Sequence, residues 1–437
     1  MTTAAPSPAP SAEASSYRWY VLSVLLVVYM LNFLDRQIFA VLQEQIRADL
    51  GFSDLQLGLL GGTMFAVFYA IAGLPIAFLA DRTNRVRVIA VSCATWSLFT
   101  AACGLAAGFW TMALARIGVA SGEAGGVSPA YSVMSDYFEP EKRGLAFGLF
   151  SIGAPLGLAF GAALGAAIAA ALGWRMAFIL IGLPGVALGL WLALTVREPR
   201  RGAFDSPASQ NAAITKPRPL DAARAVFTTP SLLLITIGAS ATSFAGYGFF
   251  QWTPSFLIRS QGLTEVAIAT ALAPVLLLGA IGAIAGGWMA DRFGKKRASA
   301  YGLIPAIALL TCAPFLACAL LTHNGAVSLA FIAVPALLNF LWIAPALAAM
   351  QNLAHAGIRA TVAAIMAFFN NLIGFGLGPL AIGATSDALA GRLGEADGLR
   401  YALFIAALGY LVAGLIFLLV AYRLPRDLAR RGEQGQA

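Results

Sequence analysis

Long apolar runs alternate along the chain with short segments rich in charge, glycine and proline. A helix that crosses a bilayer needs about 20 mainly apolar residues, because the backbone must satisfy its own hydrogen bonds across the hydrocarbon. Reading the runs between breaks predicts twelve spans, over 18–45, 55–80, 87–107, 110–136, 143–171, 174–196, 230–259, 265–290, 298–321, 327–352, 359–388 and 400–422. The expected fold class is therefore all-α and integral to the membrane.

The polar breaks repeat. Leu79-Ala-Asp-Arg-Thr-Asn-Arg-Val-Arg87 returns 210 positions later as Met289-Ala-Asp-Arg-Phe-Gly-Lys-Lys-Arg297, each copy between two apolar runs. Charges at that density belong in water beside the membrane, and their recurrence predicts two pseudo-symmetric six-helix halves. The halves cover 18–196 and 230–423, joined by a polar cytoplasmic linker at 197–229 and flanked by a disordered tail at 1–17 and a second tail at 424–437. Carboxylate, guanidinium and helix termini in these loops suit a cytoplasmic gate, with Asp81, Arg82, Arg85, Asp291 and Arg292 as its members.

Composition agrees with a membrane protein: 59% of residues are hydrophobic, 11% charged, and the mean hydropathy is +0.80. With both termini inside, 21 of the 28 Lys and Arg residues fall in cytoplasmic segments and five outside, the bias of a multi-pass protein of the cell membrane, here a bacterial inner membrane. That bias accounts for the net charge of +8 and leaves nothing for nucleic acid to read. Cys93, Cys103, Cys312 and Cys318 lie in apolar spans, without metal-type spacing, and His323 and His355 lie near span ends. No GxxxxGK[ST] phosphate loop is present, so neither an ATP site, a metal nor another cofactor is expected.

Four charges sit inside spans. The first span reads Asn32-Phe-Leu-Asp35-Arg36 and the fourth Arg116-Ile-Gly-Val-Ala-Ser-Gly-Glu123. A bare charge at the bilayer centre costs at least about 2.5–3.5 kcal/mol, so each should face a polar cavity and a partner. Arg116 and Glu123 stand two turns apart on one face, and counting depth from the outer ends puts all four in one zone between the outer third and the midplane. Two acids beside two permanently charged guanidiniums let one carboxylate carry a proton, with Glu123 the first candidate and Asp35 its rival. Arg36 and Arg116 are candidate substrate contacts, and Asn32, on the same face as Asp35 and Arg36, is placed to orient one of them.

Further polar groups near mid-membrane are Tyr247, Gln251 and Trp252 in the seventh span, Asn339 in the tenth and Asn371 in the eleventh. Aromatic walls with few polar anchors suit an amphiphilic solute. Glycines at 153, 157, 161 and 165 form a stripe that lets the fifth span approach another helix closely. Glu44 reads as an interfacial residue at the outer end of the first span.

Asp291-Arg-Phe-Gly-Lys-Lys296 resembles the loop motif of the major facilitator superfamily, and the resemblance extends over essentially the whole chain. The first copy departs from it, with Asn84 in place of a glycine and Ala77 in place of another. Asn32-Phe-Leu-Asp35-Arg36, Ala115-Arg116-Ile-Gly-Val-Ala-Ser-Gly-Glu123, Ser135-Asp136-Tyr-Phe and Gly374-Phe-Gly-Leu-Gly-Pro379 resemble its Spinster-like branch, whose animal members export sphingosine phosphate and lysophospholipids. The resemblance implies that Asp35, Arg36, Arg116 and Glu123 match that branch's proton and head-group residues. The expectation is a monomeric, proton-coupled secondary transporter, not an enzyme, whose partners are protons, membrane lipids and a small or lipid-like substrate. It works by alternating access and exports an amphiphilic anion. The alternatives are a proton symporter importing a small organic acid and a membrane sensor that does not transport.

Overall fold

The computed structural model describes residues 12–204, 219–294, 296–354 and 358–434. The beginning of the expected N-terminal tail, Lys216 and Arg218 of the linker, Lys295 of the second loop, His355 and the last three residues lie outside the described residues. Twelve membrane helices follow one another: α1 (Ser16–Leu50), α2 (Asp54–Arg82), α3 (Arg85–Cys103), α4 (in two pieces, Phe109–Glu123 and Val127–Tyr137), α5 (Lys142–Leu172), α6 (Trp174–Thr195), α7 (Pro230–Gln261), α8 (Glu265–Gly294), α9 (Ala300–Leu321), α10 (Gly325–Leu353), α11 (Thr361–Leu393) and α12 (Glu395–Arg430). Eleven of them are individually long and apolar enough to cross a bilayer; α4 is the exception. The linker carries a short helix, Pro219–Thr228, and the tails are more helical than expected, with helix from Ala12 at one end and to Gln434 at the other.

The fourth span differs from the sequence expectation of one run over 110–136. Trp96 and Ser92 of α3 press against Gly122 and Gly125 so closely that a Cβ at either glycine would overlap them. The backbone there tightens, with Gly125 N–H donating to Gly122 O at 3.2 Å and Gly126 N–H to Glu123 O at 3.0 Å. Glu123 is thereby the last residue of a helix that ends inside the membrane. Spans α2 and α11 each contain a widened turn, Leu59–Thr63 and Asn370–Phe375, a form common at functional sites. The two turns face each other, and Thr63 Oγ1 donates to Gly376 O at 2.6 Å.

The glycine stripe of α5 packs on α1. A Cβ at Gly157 would overlap Met30 O and crowd Phe33, and one at Gly161 would crowd Leu34 and Gln37. Small residues here replace the hydrophobic driving force that lipid cannot supply, by bringing two backbones into close van der Waals contact.

Helices α1–α6 and α7–α12 meet along a seam that is polar at the end opposite the Asp-Arg loops. Gln43 donates to Ser255 Oγ at 2.5 Å, and Gln251 donates back to Gln43 Oε1 at 3.1 Å. One turn further, Arg259 of α7 forks between Glu44 of α1, at 2.7 and 2.8 Å, and Asp54 of α2, at 2.7 and 2.8 Å. Arg47 joins Asp54 at 3.5 Å to Glu395 at 2.6 Å, and Ser386 donates to Asp54 at 2.6 Å. Asp387 of α11 accepts from the N–H groups of Asp54 and Leu55 at 3.0 and 2.8 Å, capping the start of α2. Bidentate guanidinium–carboxylate pairs out of water are the strongest polar contacts available to such a seam.

Two expectations follow from this packing. Gly157→Leu should destabilise the fold by about 1–3 kcal/mol through overpacking and lower the thermal midpoint of the purified protein; an unchanged midpoint would mean that α1 and α5 do not pack as described. Asp54→Asn should remove charge-assisted bonds worth about 1.5–3 kcal/mol and loosen the seam. Spin labels at Ala48 and Val266 should then report a longer and broader distance distribution, and an unaltered one would show that the cluster does not hold the halves together.

Candidate functional site

The four intramembrane charges converge between α1, α3 and α4. Arg36 directs Nε and Nη2 at Glu123 Oε2, at 2.9 and 2.8 Å. Glu123 is fully buried, and the side-chain amide of the buried Asn32 lies beside its carboxylate. The guanidinium of Arg36 is caged by Phe65 at 4.8 Å, Phe33 at 5.1 Å, Phe375 at 5.4 Å and Tyr69 at 5.5 Å from the ring centroids. Aromatic faces carry negative potential, so the cage supports the cation where water is excluded. Phe375 comes from α11, so the cage is closed by the other half of the molecule.

Arg116 is held differently. It is buried over Phe39 at 4.7 Å and Phe65 at 5.1 Å from the ring centroids, with Nε 3.4 Å from Leu60 O in the widened turn of α2. Phe65 therefore serves both guanidiniums. Asp35 is buried beside Trp96 and Thr100 of α3, with Glu123 and Arg116 as its charged neighbours. Of the two expected acids, Glu123 forms the direct ion pair with Arg36.

Arg36 also opens onto a cavity of about 120 Å³ between the halves. Its walls bring together Arg36 and Gln37 of α1, Tyr247 and Gln251 of α7, Asn339 of α10 and Phe375 of α11. Tyr247 stands edge-on to Phe375 at 4.8 Å, and Asn339 is oriented by Tyr410 O–H, which donates to its Oδ1 at 2.9 Å. The other expected substrate residues lie off this wall. Trp252 is fully buried with its indole N–H donating to Pro379 O at 2.9 Å, and Asn371 donates back to Ala367 O at 3.0 Å in its own helix. Arg116 and Asn32 stand behind Arg36.

At the loop end, Asp81, Arg82, Asp291 and Arg292 are exposed, whereas Arg85 is buried. Arg85 binds Asp136 of the first half at 2.6 Å and Glu198 of the linker at 2.6 Å, and Arg201 of the linker donates to the carbonyls of Ala80, Asp81 and Thr83. Sequence reasoning missed the opposite cluster of Glu44, Arg47, Asp54, Arg259 and Glu395. Its one signal was the placement of opposite charges at the ends of α1, α2 and α7. It also missed the part that Phe65 and Phe375 play around the guanidiniums.

Comparison with known proteins accords with this geometry. The family model of the Major Facilitator Superfamily matches residues 25–379. An MFS-type efflux pump of Mycolicibacterium smegmatis is 31% identical over 413 residues, covering 94% of each chain. The sphingosine-1-phosphate transporter SPNS2 of Danio rerio is 26% identical, covering 93% of this chain and 84% of its own. The crystal structure of a bacterial homolog to the human lysosomal transporter Spinster, in an inward-facing and unoccupied conformation, superposes with a TM-score of 0.85 at 29% identity, covering 94% of this chain and 98% of that one. This chain is a membrane transporter of the major facilitator superfamily and belongs to its Spinster-like branch.

Proposed function

We propose that the protein is a proton-coupled secondary transporter that moves an amphiphilic organic anion by alternating access, in the direction of export. The observation that carries this reading is Arg36, a guanidinium on the cavity wall whose carboxylate partner is buried behind it. An anionic head-group entering the cavity is drawn to Arg36, while Phe33, Phe250, Phe340 and Phe375 offer apolar walls to the rest of the solute. Tyr247, Gln251 and Asn339 supply the polar anchors on the second half. Glu123 Oε1, the oxygen that Arg36 does not bind, is the one that takes the proton. The similarity to an efflux pump favours export.

The loops would close the cavity on one side through Asp81, Arg82, Arg85, Asp291 and Arg292, and the Arg259 cluster on the other. In this scheme the present conformation is sealed at the Arg259 end. The placement of basic residues supports a cytoplasmic side for the loops and both termini and an outer side for the seal, in a bacterial inner membrane on this reading. The chain works as a monomer in this reading.

A second reading has its own support. When an anion displaces Glu123 from Arg36, the freed carboxylate loses its countercharge and is easier to protonate. Anion and proton then bind together, which suits symport of a small organic acid into the cell, as does a cavity of only about 120 Å³. The sign of the pH change separates the two. In liposomes with an imposed substrate gradient, protons moving against the substrate support export by exchange, and protons moving with it support symport.

The proton site has a sharper test. Glu123→Gln keeps the shape and one hydrogen-bond acceptor but cannot titrate. Net proton-driven flux should fall at least about tenfold, the effect of 1.4 kcal/mol, while substrate exchange without a proton gradient survives. Asp35→Asn should weaken both, because Arg116 loses a neighbouring countercharge. Retention of proton-driven flux in Glu123→Gln together with its loss in Asp35→Asn would transfer the role to Asp35.

A further inference from the structure

Two grooves outside the central cavity occupy equivalent places in the two halves. One, of about 620 Å³, runs between α2, α3 and α4, and is walled by Leu79, Val91 and Phe99 with Arg87 at its mouth. The other, of about 740 Å³, runs between α8, α9 and α10, and is walled by Met289, Leu303 and Ile307 with Lys296 and Arg297 at its mouth. The 210-residue repeat maps Leu79 onto Met289 and Arg87 onto Arg297, so one apolar wall residue and one cation at the mouth recur at the same repeat positions. Neither groove belongs to the transport site described above.

What fills them follows from where they are. Val91 is 67% exposed and Ile307 63%, yet both belong to membrane helices, so lipid rather than water lies against them. Each mouth is at the loop end, where head-groups sit, and is basic. Helix rise puts Phe99 roughly 18 Å from Arg87 along α3, and Thr311 roughly 17 Å from Ala300, at the start of α9 beside Arg297. One leaflet of hydrocarbon is roughly 15 Å deep, so each groove has the length of an acyl chain that starts at its cation.

We infer that each half holds one anionic phospholipid of the leaflet beside the Asp-Arg loops, with its phosphate on Arg87 in the first half and on Lys296 and Arg297 in the second, and an acyl chain along the groove. An exposed cation and an apolar trough of chain length together read a lipid; the net negative head-group is selected because each mouth offers only cations from its wall. Since α2 and α8 both wall a groove and carry a loop, the lipids also brace the two loops.

Native mass spectrometry of the full chain, titrated with phosphatidylglycerol and separately with phosphatidylcholine, tests this. The wild type should retain two phosphatidylglycerol molecules in preference to phosphatidylcholine. Arg87→Gln should retain one, and the triple variant Arg87→Gln, Lys296→Gln, Arg297→Gln none, with affinity at each site falling about fivefold per charge removed. Val91→Trp, which fills the first groove and keeps every charge, should also reduce the count to one. Arg423→Gln, a cytoplasmic-side charge outside both grooves, should leave two, and monodisperse elution of every variant excludes misfolding as the cause. Equal retention of the two lipids by the wild type, an unchanged count in Arg87→Gln and Val91→Trp, or the same loss in Arg423→Gln would each overturn the inference.

Discussion

A guanidinium and a carboxylate buried together in a bilayer constrain everything around them. Each alone would cost at least about 2.5–3.5 kcal/mol at mid-membrane. Arg36 and Glu123 meet at 2.8 Å, and four aromatic rings flank the guanidinium, which otherwise faces the cavity. The break in α4 follows from the same requirement. Gly122, Gly125 and Gly126 bring α3 close, end the first piece of α4 at Glu123, and so set the acid opposite α1. The widened turn of α2 likewise places Leu60 O near Arg116, and that of α11 ends at Phe375, which closes the cage. Irregular backbone inside a membrane is tolerated where protein or a polar cavity surrounds it, and all three irregularities surround these charges.

The pair also links the two halves. Phe375 touches Arg36, Tyr247 and Phe65, so any change in the charge of the pair is felt at once by α7 and α11. At the far end the halves are held by Arg259 between Glu44 and Asp54, contacts that are polar, short and reversible. A seam of ion pairs can be broken and remade at lower cost than a packed apolar interface, because separation lets water solvate the exposed charges. Our proposal joins these two features: a proton at the pair alters the cage, and the cage adjoins the seam.

Much of this was legible in the chain. Twelve runs of apolar residues and a repeated loop were enough for the membrane class and the two halves, because the bilayer imposes a length and a polarity that sequence displays directly. Charge inside an apolar run identified Asp35, Arg36, Arg116 and Glu123 for the same reason. What remained hidden depends on contacts between distant segments. Glu44 and Arg259 lie 215 positions apart, and each by itself looks like a residue marking the edge of a membrane span. Trp252 and Gln251 are neighbours, yet one packs on Pro379 and the other faces the cavity, a difference of helix face that the mostly apolar run of α7 does not reveal. The break in α4 escaped notice because glycines among apolar residues lengthen a run as readily as they interrupt it. Arg85 was grouped with the loop charges, but its partner Asp136 comes from the end of α4.

The central claim is that Glu123 exchanges its bond with Arg36 for a proton. Infrared difference spectroscopy of the protein in bilayers, recorded across a pH titration, reads this directly through the carbonyl stretch of a protonated carboxylic acid. The account predicts one such band that rises as pH falls, persists in Asp35→Asn and is absent in Glu123→Gln. A band that persists in Glu123→Gln and disappears in Asp35→Asn would contradict it.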